Sequence, residues 1–221
     1  MCRVGRWTCV LSCRTGVLPP AGMDRVVGGE EWGDVMGKKP ATYADLEALP
    51  EHVVGEIVAG ELYASPRPAA RHASAAIRLS SELVGAFQRG RGGPGGWVFL
   101  GEQELHLQQD VLVPDIAGWR LERMPDVPES AAMSLAPDWV CEVLSPSTRK
   151  LDREAKLPVY AREGVRHVWL MDPRTRTLEV FGLRDGRYEA LLTHVGVAPV
   201  RAEPFDAVEL DLEFIWGSTM S

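Results

Sequence analysis

The stretch "DWVCEVLSPSTRKLDREAKLPVYAREGVRHVWLMD", residues 138–172, places a charged segment of helical character between two short apolar runs. Runs of that length rich in Val, Trp and Leu read as buried strands, and the segment between them reads as a helix. A strand, a helix and a second strand in succession form a crossover, so "WVCEVLS" and "HVWLMD" are expected to lie parallel in one sheet. Along the first strand Trp139, Cys141 and Val143 face one way, and Val140, Glu142 and Leu144 the other. Glu142 is therefore an acid on an apolar face. Burying it unpaired would cost on the order of several kcal/mol, so something must compensate it. Pro158 adds a complication, because proline inside a helix costs about 3 kcal/mol or more unless it occupies the first turn. The helix must kink there or begin later than its charge pattern suggests.

A second acid lies upstream in "VPDIAGWR", residues 113–120. Pro114 interrupts a β-ladder just before Asp115, so this side chain is expected to project where two strands diverge. If its strand neighbours that of Glu142, the two carboxylates converge. Oxygen-rich sites of this kind hold Mg²⁺ or Mn²⁺ through one or two carboxylates, with water or a substrate phosphate completing the shell. A nearby lysine would orient or deprotonate the attacking water.

Around this unit the chain alternates helices and strands. "TYADLEALP" (42–50) reads as a short helix capped by Thr42, and "VVGEIVAGELYAS" (53–65) as a hairpin turning at Ala59-Gly60, its first strand presenting Val54, Glu56 and Val58 on one face. Ala73, Ala76, Ile77, Ser80, Leu83, Val84 and Phe87 recur at helical spacing and predict one buried face. "GRGGPG" (90–95) has the letters of a dinucleotide fingerprint, but it follows a helix and precedes a strand, so it reads as a turn. "GWVFLGEQELHL" and "DVLVPDIAGWR" are expected as two strands, and "TLEVFGLR" and "RYEALLTH" as a pair joined at Asp185-Gly186. Hairpins on both sides of a crossover predict an α/β or α+β domain around a mixed sheet.

The 221 residues, 45% of them hydrophobic, suffice for one domain, expected over 41–221, preceded by a loosely ordered tail over 1–40. Met23 and Met36 make a downstream start conceivable. Cys2, Cys9 and Cys13 have no zinc-ligand spacing, and Cys141 reads as a core residue. No apolar run reaches the length of a membrane span and no good signal-peptide pattern opens the chain, so the expected location is cytoplasmic, without a membrane partner. A formal net charge of −7 argues against coating nucleic acid by bulk attraction. The distribution is uneven, however: five arginines stand between Arg67 and Arg91 against Glu82 alone, and six Lys or Arg between Arg149 and Arg166 against three acids.

Taken together, "YADLEALP", "GEIVAGELYASP", "VPDIAGW", "CEVLSPSTRKLDREAKLPVYAREGVRHVWLMDP" and "LEVFGLRDGRYE" resemble the Uma-two family of restriction-endonuclease-like bacterial proteins, within the PD-(D/E)XK nuclease superfamily. The resemblance covers about residues 42 to 216. It implies a mixed central β-sheet flanked by helices and a divalent-metal-dependent endonuclease acting on DNA. Leu144 stands where that superfamily's strand lysine is expected. In the family the lysine is thought to have moved to the following helix, which makes Lys156 the matching residue. The resemblance thus implies Asp115 and Glu142 as ligands of Mg²⁺ or Mn²⁺, Lys156 as the residue that positions water, and Glu56 as an auxiliary ligand. Arg67, Arg71, Arg149, Lys150 and Arg153 are the expected DNA contacts, and a homodimer is left open.

Each residue also has a plainer reading. Asp115 would cap a turn, Glu56 would be a surface charge, Lys156 an ordinary helix-surface residue, and His72 and Tyr160 helix packing or phosphate contacts, while Arg149, Lys150 or Lys156 would serve as an ion-pair partner of Glu142 without any metal. Trp119, Trp139 and Trp169 read as core. The competing function is a nuclease-like domain that binds nucleic acid or protein without cleaving. No GxSxG elbow or HExxH motif supports a serine hydrolase or zinc protease.

Overall fold

The computed structural model describes residues 39–217. The expected tail, the alternative start sites and the three N-terminal cysteines lie almost wholly outside the described residues. α1 (Tyr43–Glu47) begins as its capping chemistry requires, Thr42 exchanging hydrogen bonds with Asp45. β1 (Val53–Val58) and β2 (Glu61–Pro66) form the hairpin, and both turn residues, Ala59 and Gly60, take positive φ.

α2 (Ala70–Leu83) continues into a π-helical turn, Val84–Gln88. Its buried face is Ala75, Leu79, Leu83, Ala86 and Phe87, whereas Ile77 is 70% exposed. Leu83 and Phe87 of the face read from the periodicity are buried and Ala76 and Val84 pack partly against the core, but Ala73 and Ile77 are exposed and Ala75 and Leu79 take their place. The helix is so rich in Ala and Ser that several stripes fit a 3.6-residue period, and the single Ile misled the choice among them. His72 lies one turn before Ala75 and Ala76 and shares the inward side.

Two segments expected as single strands are each divided between sheets. The first yields β3 (Trp97–Gly101) and β4 (Glu104–Leu107), separated where Glu102 adopts a positive φ. The second yields β5 (Asp110–Leu112) and β6 (Ile116–Arg120), separated at Val113-Pro114-Asp115, where proline has no N–H to give a ladder. β7 (Ala132–Met133) follows. One sheet has the order β2-β1-β5-β4-β7, and the paired breaks carry the chain between it and the larger sheet.

The larger sheet is built on the crossover. β8 (Trp139–Val143) pairs in parallel with β9 (His167–Asp172), Cys141 opposite Trp169, and β10 (Thr177–Arg184) and β11 (Arg187–Val195) extend it to the order β11-β10-β9-β8-β6-β3. Trp139, Cys141 and Val143 pack toward α2 and α4 (Leu212–Trp216). Val140 and Leu144 pack on the other side with Val159, Tyr160 and residues of the smaller sheet. Trp119, Trp139 and Trp169 are fully buried. Pro158 is accommodated because a π-helical turn, Leu151–Lys156, precedes α3 (Leu157–Arg162), so proline occupies the first turn of α3, where its missing N–H is not needed.

Candidate active site

Both paired breaks lie at the seam between the sheets, and a cleft of about 200 Å³ opens there. Its walls include Val54 and Glu56 of β1, Pro66 and Arg67, His72 of α2, Asp115, Glu142, the Ser145–Thr148 loop, and Asp152 and Lys156 of the π-helical turn. Asp115 and Glu142 face each other by register: Ile116 pairs with Cys141 across β6 and β8, and one further step brings Asp115 opposite Glu142. The Val143 amide donates to Asp115 Oδ2 at 2.7 Å, filling the place that a ladder bond would have taken.

Lys156 Nζ lies 2.9 Å from Glu56 Oε1, 3.2 Å from Asp152 Oδ1 and 3.3 Å from Glu142 Oε1. Its three N–H donors thus meet three carboxylates. All four residues are between 2% and 4% exposed. The Tyr160 hydroxyl donates to Glu142 Oε1 at 2.6 Å, the Val113 amide to Glu56 Oε1 at 2.8 Å, and His72 Nε2 is 3.3 Å from Asp115 Oδ2. The geometry of the helix accounts for this clustering. Asp152, Lys156 and Tyr160 are spaced by four residues and share one face of the helix, directed at the face of β8 that carries Glu142.

The charges do not balance. Three carboxylates, from Glu56, Glu142 and Asp152, surround the Lys156 ammonium, and a fourth, from Asp115, lies beside His72; with all four ionised the formal surplus is three negative charges, or two when His72 is protonated. Burial pushes the Glu142 carboxyl well above the usual range against the pull of Lys156, with Asp152, Asp115 and Glu56 adding like charge. Burial also raises Asp152, again against Lys156. For Lys156, burial would favour the neutral amine, but Glu142, Glu56 and Asp152 outweigh it and hold the ammonium well above the normal lysine range. Burial would likewise lower His72, but Asp115 more than offsets it and holds the imidazole above its usual value.

On each of Glu56, Asp115 and Glu142 the interactions just described engage a single oxygen. Among the described residues no hydrogen bond or ion pair occupies Glu56 Oε2, Asp115 Oδ1 or Glu142 Oε2. Nor do three His, Cys, Asp or Glu groups among them converge on one point. This donor set suits a hard divalent cation held by two carboxylates, with water or phosphate oxygens completing the shell. Glu56 turns its bonded oxygen toward Lys156 and Val113.

Among the basic residues, Arg67 lines the cleft and donates to the Glu51 carbonyl, while Arg71 and Lys150 are exposed. Arg149 is paired with Asp172, Arg153 with Glu179, and Lys150 loosely with Glu154. Reading the sequence missed Asp152, which carried no motif, and gave Tyr160 and His72 no role at the acids. The i, i+4, i+8 spacing of Asp152, Lys156 and Tyr160 was the available signal. No helix among the described residues is long and apolar enough to cross a membrane.

A family model, Uma2, described as "Putative restriction endonuclease", matches residues 40–213. No curated protein matches. Among solved structures, one described as "a putative nuclease belonging to DUF820" from Anabaena variabilis is similar, with 22% identity over 80% of this chain and 98% of that one, and a TM-score of 0.61.

Proposed function

Because the chain belongs to the Uma2 family over residues 40–213, we propose that it is a divalent-metal-dependent endonuclease that hydrolyses DNA phosphodiester bonds. The observation that carries this reading is the gathering of four acids against a single ammonium at an open cleft. Ion-pair networks built only for stability bring their charges close to balance, since uncompensated buried charge is strongly destabilising. Asp115 and Glu142 would hold Mg²⁺ or Mn²⁺ through the oxygens that no protein donor engages. Such a cation supplies a water of lowered pKa and polarises the phosphate. Lys156 orients the attacking water and stabilises charge developing on the phosphate. Its donors are all committed to carboxylates in the present arrangement, so release of one carboxylate frees a donor for water. Arg67 and Arg71, at and near the cleft mouth, offer their charge to the DNA backbone, whereas Arg149 and Arg153 direct much of theirs to Asp172 and Glu179.

One observation favours a second reading. Lys156 alone reaches three of the four acids, so the domain has an internal counter-ion and could bind nucleic acid or a protein without cleaving. Plasmid incubated with the protein and Mg²⁺ or Mn²⁺, beside EDTA and Glu142→Gln controls, separates the two. Metal-dependent nicking lost in Glu142→Gln supports the enzyme; activity equal in both proteins indicates a contaminant and favours the binding module.

A further inference from the structure

We propose that His72 is a positioning residue that sets the orientation of Asp115 toward a divalent cation. The inference rests on the metal-dependent reading above. Asp115 sits at the break between β5 and β6, where the Glu102 amide holds its backbone carbonyl but leaves its carboxylate free to rotate about its side-chain bonds. Two groups limit that rotation. The Val143 amide donates to Oδ2 at 2.7 Å and His72 Nε2 lies 3.3 Å from the same oxygen, so Oδ1 keeps no protein partner among the described residues. They come from different layers, the amide from β8 and the imidazole from α2, which itself packs under β8 through Ala75, Leu79 and Leu83.

The His72 side chain is 11% exposed, and its other ring nitrogen, Nδ1, is buried without a hydrogen-bond partner among the described residues. Of the two ring nitrogens, the one with a protein neighbour is thus the one facing Asp115. A buried unsatisfied nitrogen calls for a reason, and the Asp115 contact supplies one. Partners that orient a metal-binding side chain in this way typically change metal affinity by about 10–100-fold when removed.

The test is direct Mn²⁺ binding to the whole chain, followed by electron paramagnetic resonance of free Mn²⁺ and by calorimetry, with thermal melting in EDTA alongside. His72→Ala is expected to weaken Mn²⁺ binding by about tenfold or more. His72→Gln, whose amide N–H₂ reaches near the Nε2 position, should return to within about threefold of wild type. In DNA cleavage, His72→Ala should require more Mn²⁺ for half-maximal rate yet approach the wild-type kcat at saturation. If His72→Ala does not fold, His72→Phe keeps the ring without the donor and takes its place. A donor-less variant that melts earlier but binds Mn²⁺ as tightly as wild type assigns His72 to packing and overturns the inference alone. Wild-type protein that binds no Mn²⁺ overturns the inference together with the metal-dependent reading.

Discussion

Removing the Lys156 ammonium tests the charge balance of the site directly. Lys156→Ala leaves Glu56, Glu142 and Asp152, all under 5% exposed, without the cation that each touches within 3.3 Å. Taking one partner from a buried ion pair costs about 3–5 kcal/mol. Three carboxylates are stranded together here, but burial already pushes the Glu142 and Asp152 carboxyls upward, so proton uptake relieves part of the repulsion and the cost stays in that range rather than tripling. At about 2–4 °C per kcal/mol for a domain of this size, the melting temperature should fall by roughly 6–20 °C. The assay is calorimetric or circular-dichroism melting at neutral pH in EDTA, with a Lys156→Ala/Glu142→Gln double variant beside it. Removing one of the stranded acids should recover part of the stability as a coupling within the cycle. Adding Mn²⁺ should narrow the gap further if a divalent ion can replace the missing charge. A drop below about 2 °C in EDTA would refute the reasoning, because the carboxylates would then be compensated by something other than Lys156.

Glu142→Gln and Asp115→Asn should each lower cleavage at least about 100-fold in a plasmid-nicking assay, with DNA affinity retained or improved as repulsion of phosphate declines. In filter binding, Arg67→Ala and Arg71→Ala should weaken DNA affinity and flatten its salt dependence, the slope falling by about 0.9 for each phosphate that is no longer neutralised. Arg149→Ala and Arg153→Ala should change that slope less and stability more, since each removes the cation paired with Asp172 or Glu179. Asp172 provides an acid-sensitive contribution: burial works against its charge, but the amides of Arg174 and Thr175, the Thr175 side chain and Arg149 outweigh it and hold its carboxyl below the usual range. A depressed folded-state pKa contributes stability above the unfolded value, near about 3.9, which disappears as pH falls through the folded value. Asp172→Asn should therefore melt earlier than wild type at about pH 7, and the difference should shrink below about pH 4.

Much of the fold was legible because short-range chemistry specified it. The capping of α1, the Ala59-Gly60 and Asp185-Gly186 turns, and the parallel pairing of β8 with β9 each follow from local residues and match the structure. The alternation that put Glu142 among apolar neighbours also holds, with Trp139, Cys141 and Val143 in one core layer and Val140 and Leu144 in the other. Where local signals were degenerate, the reading failed. The Ala- and Ser-rich α2 fits more than one stripe, and periodicity cannot reveal that a long apolar run changes sheets in its middle.

The acids, the crossover that carries Glu142 and the helix that carries Lys156 are legible from local pattern alone, because periodicity and turn residues act over a few positions. Only the tertiary structure decided that Asp115 stands opposite Glu142, that Glu56 comes across from a second sheet, and that His72, Asp152 and Tyr160 complete the cluster. Those relations depend on register, on the breaks at Glu102 and Pro114, and on the packing that buries Asp152 and Lys156 of the π-helical turn. Each is fixed by packing between segments distant in the chain, and no local pattern of residues encodes that packing.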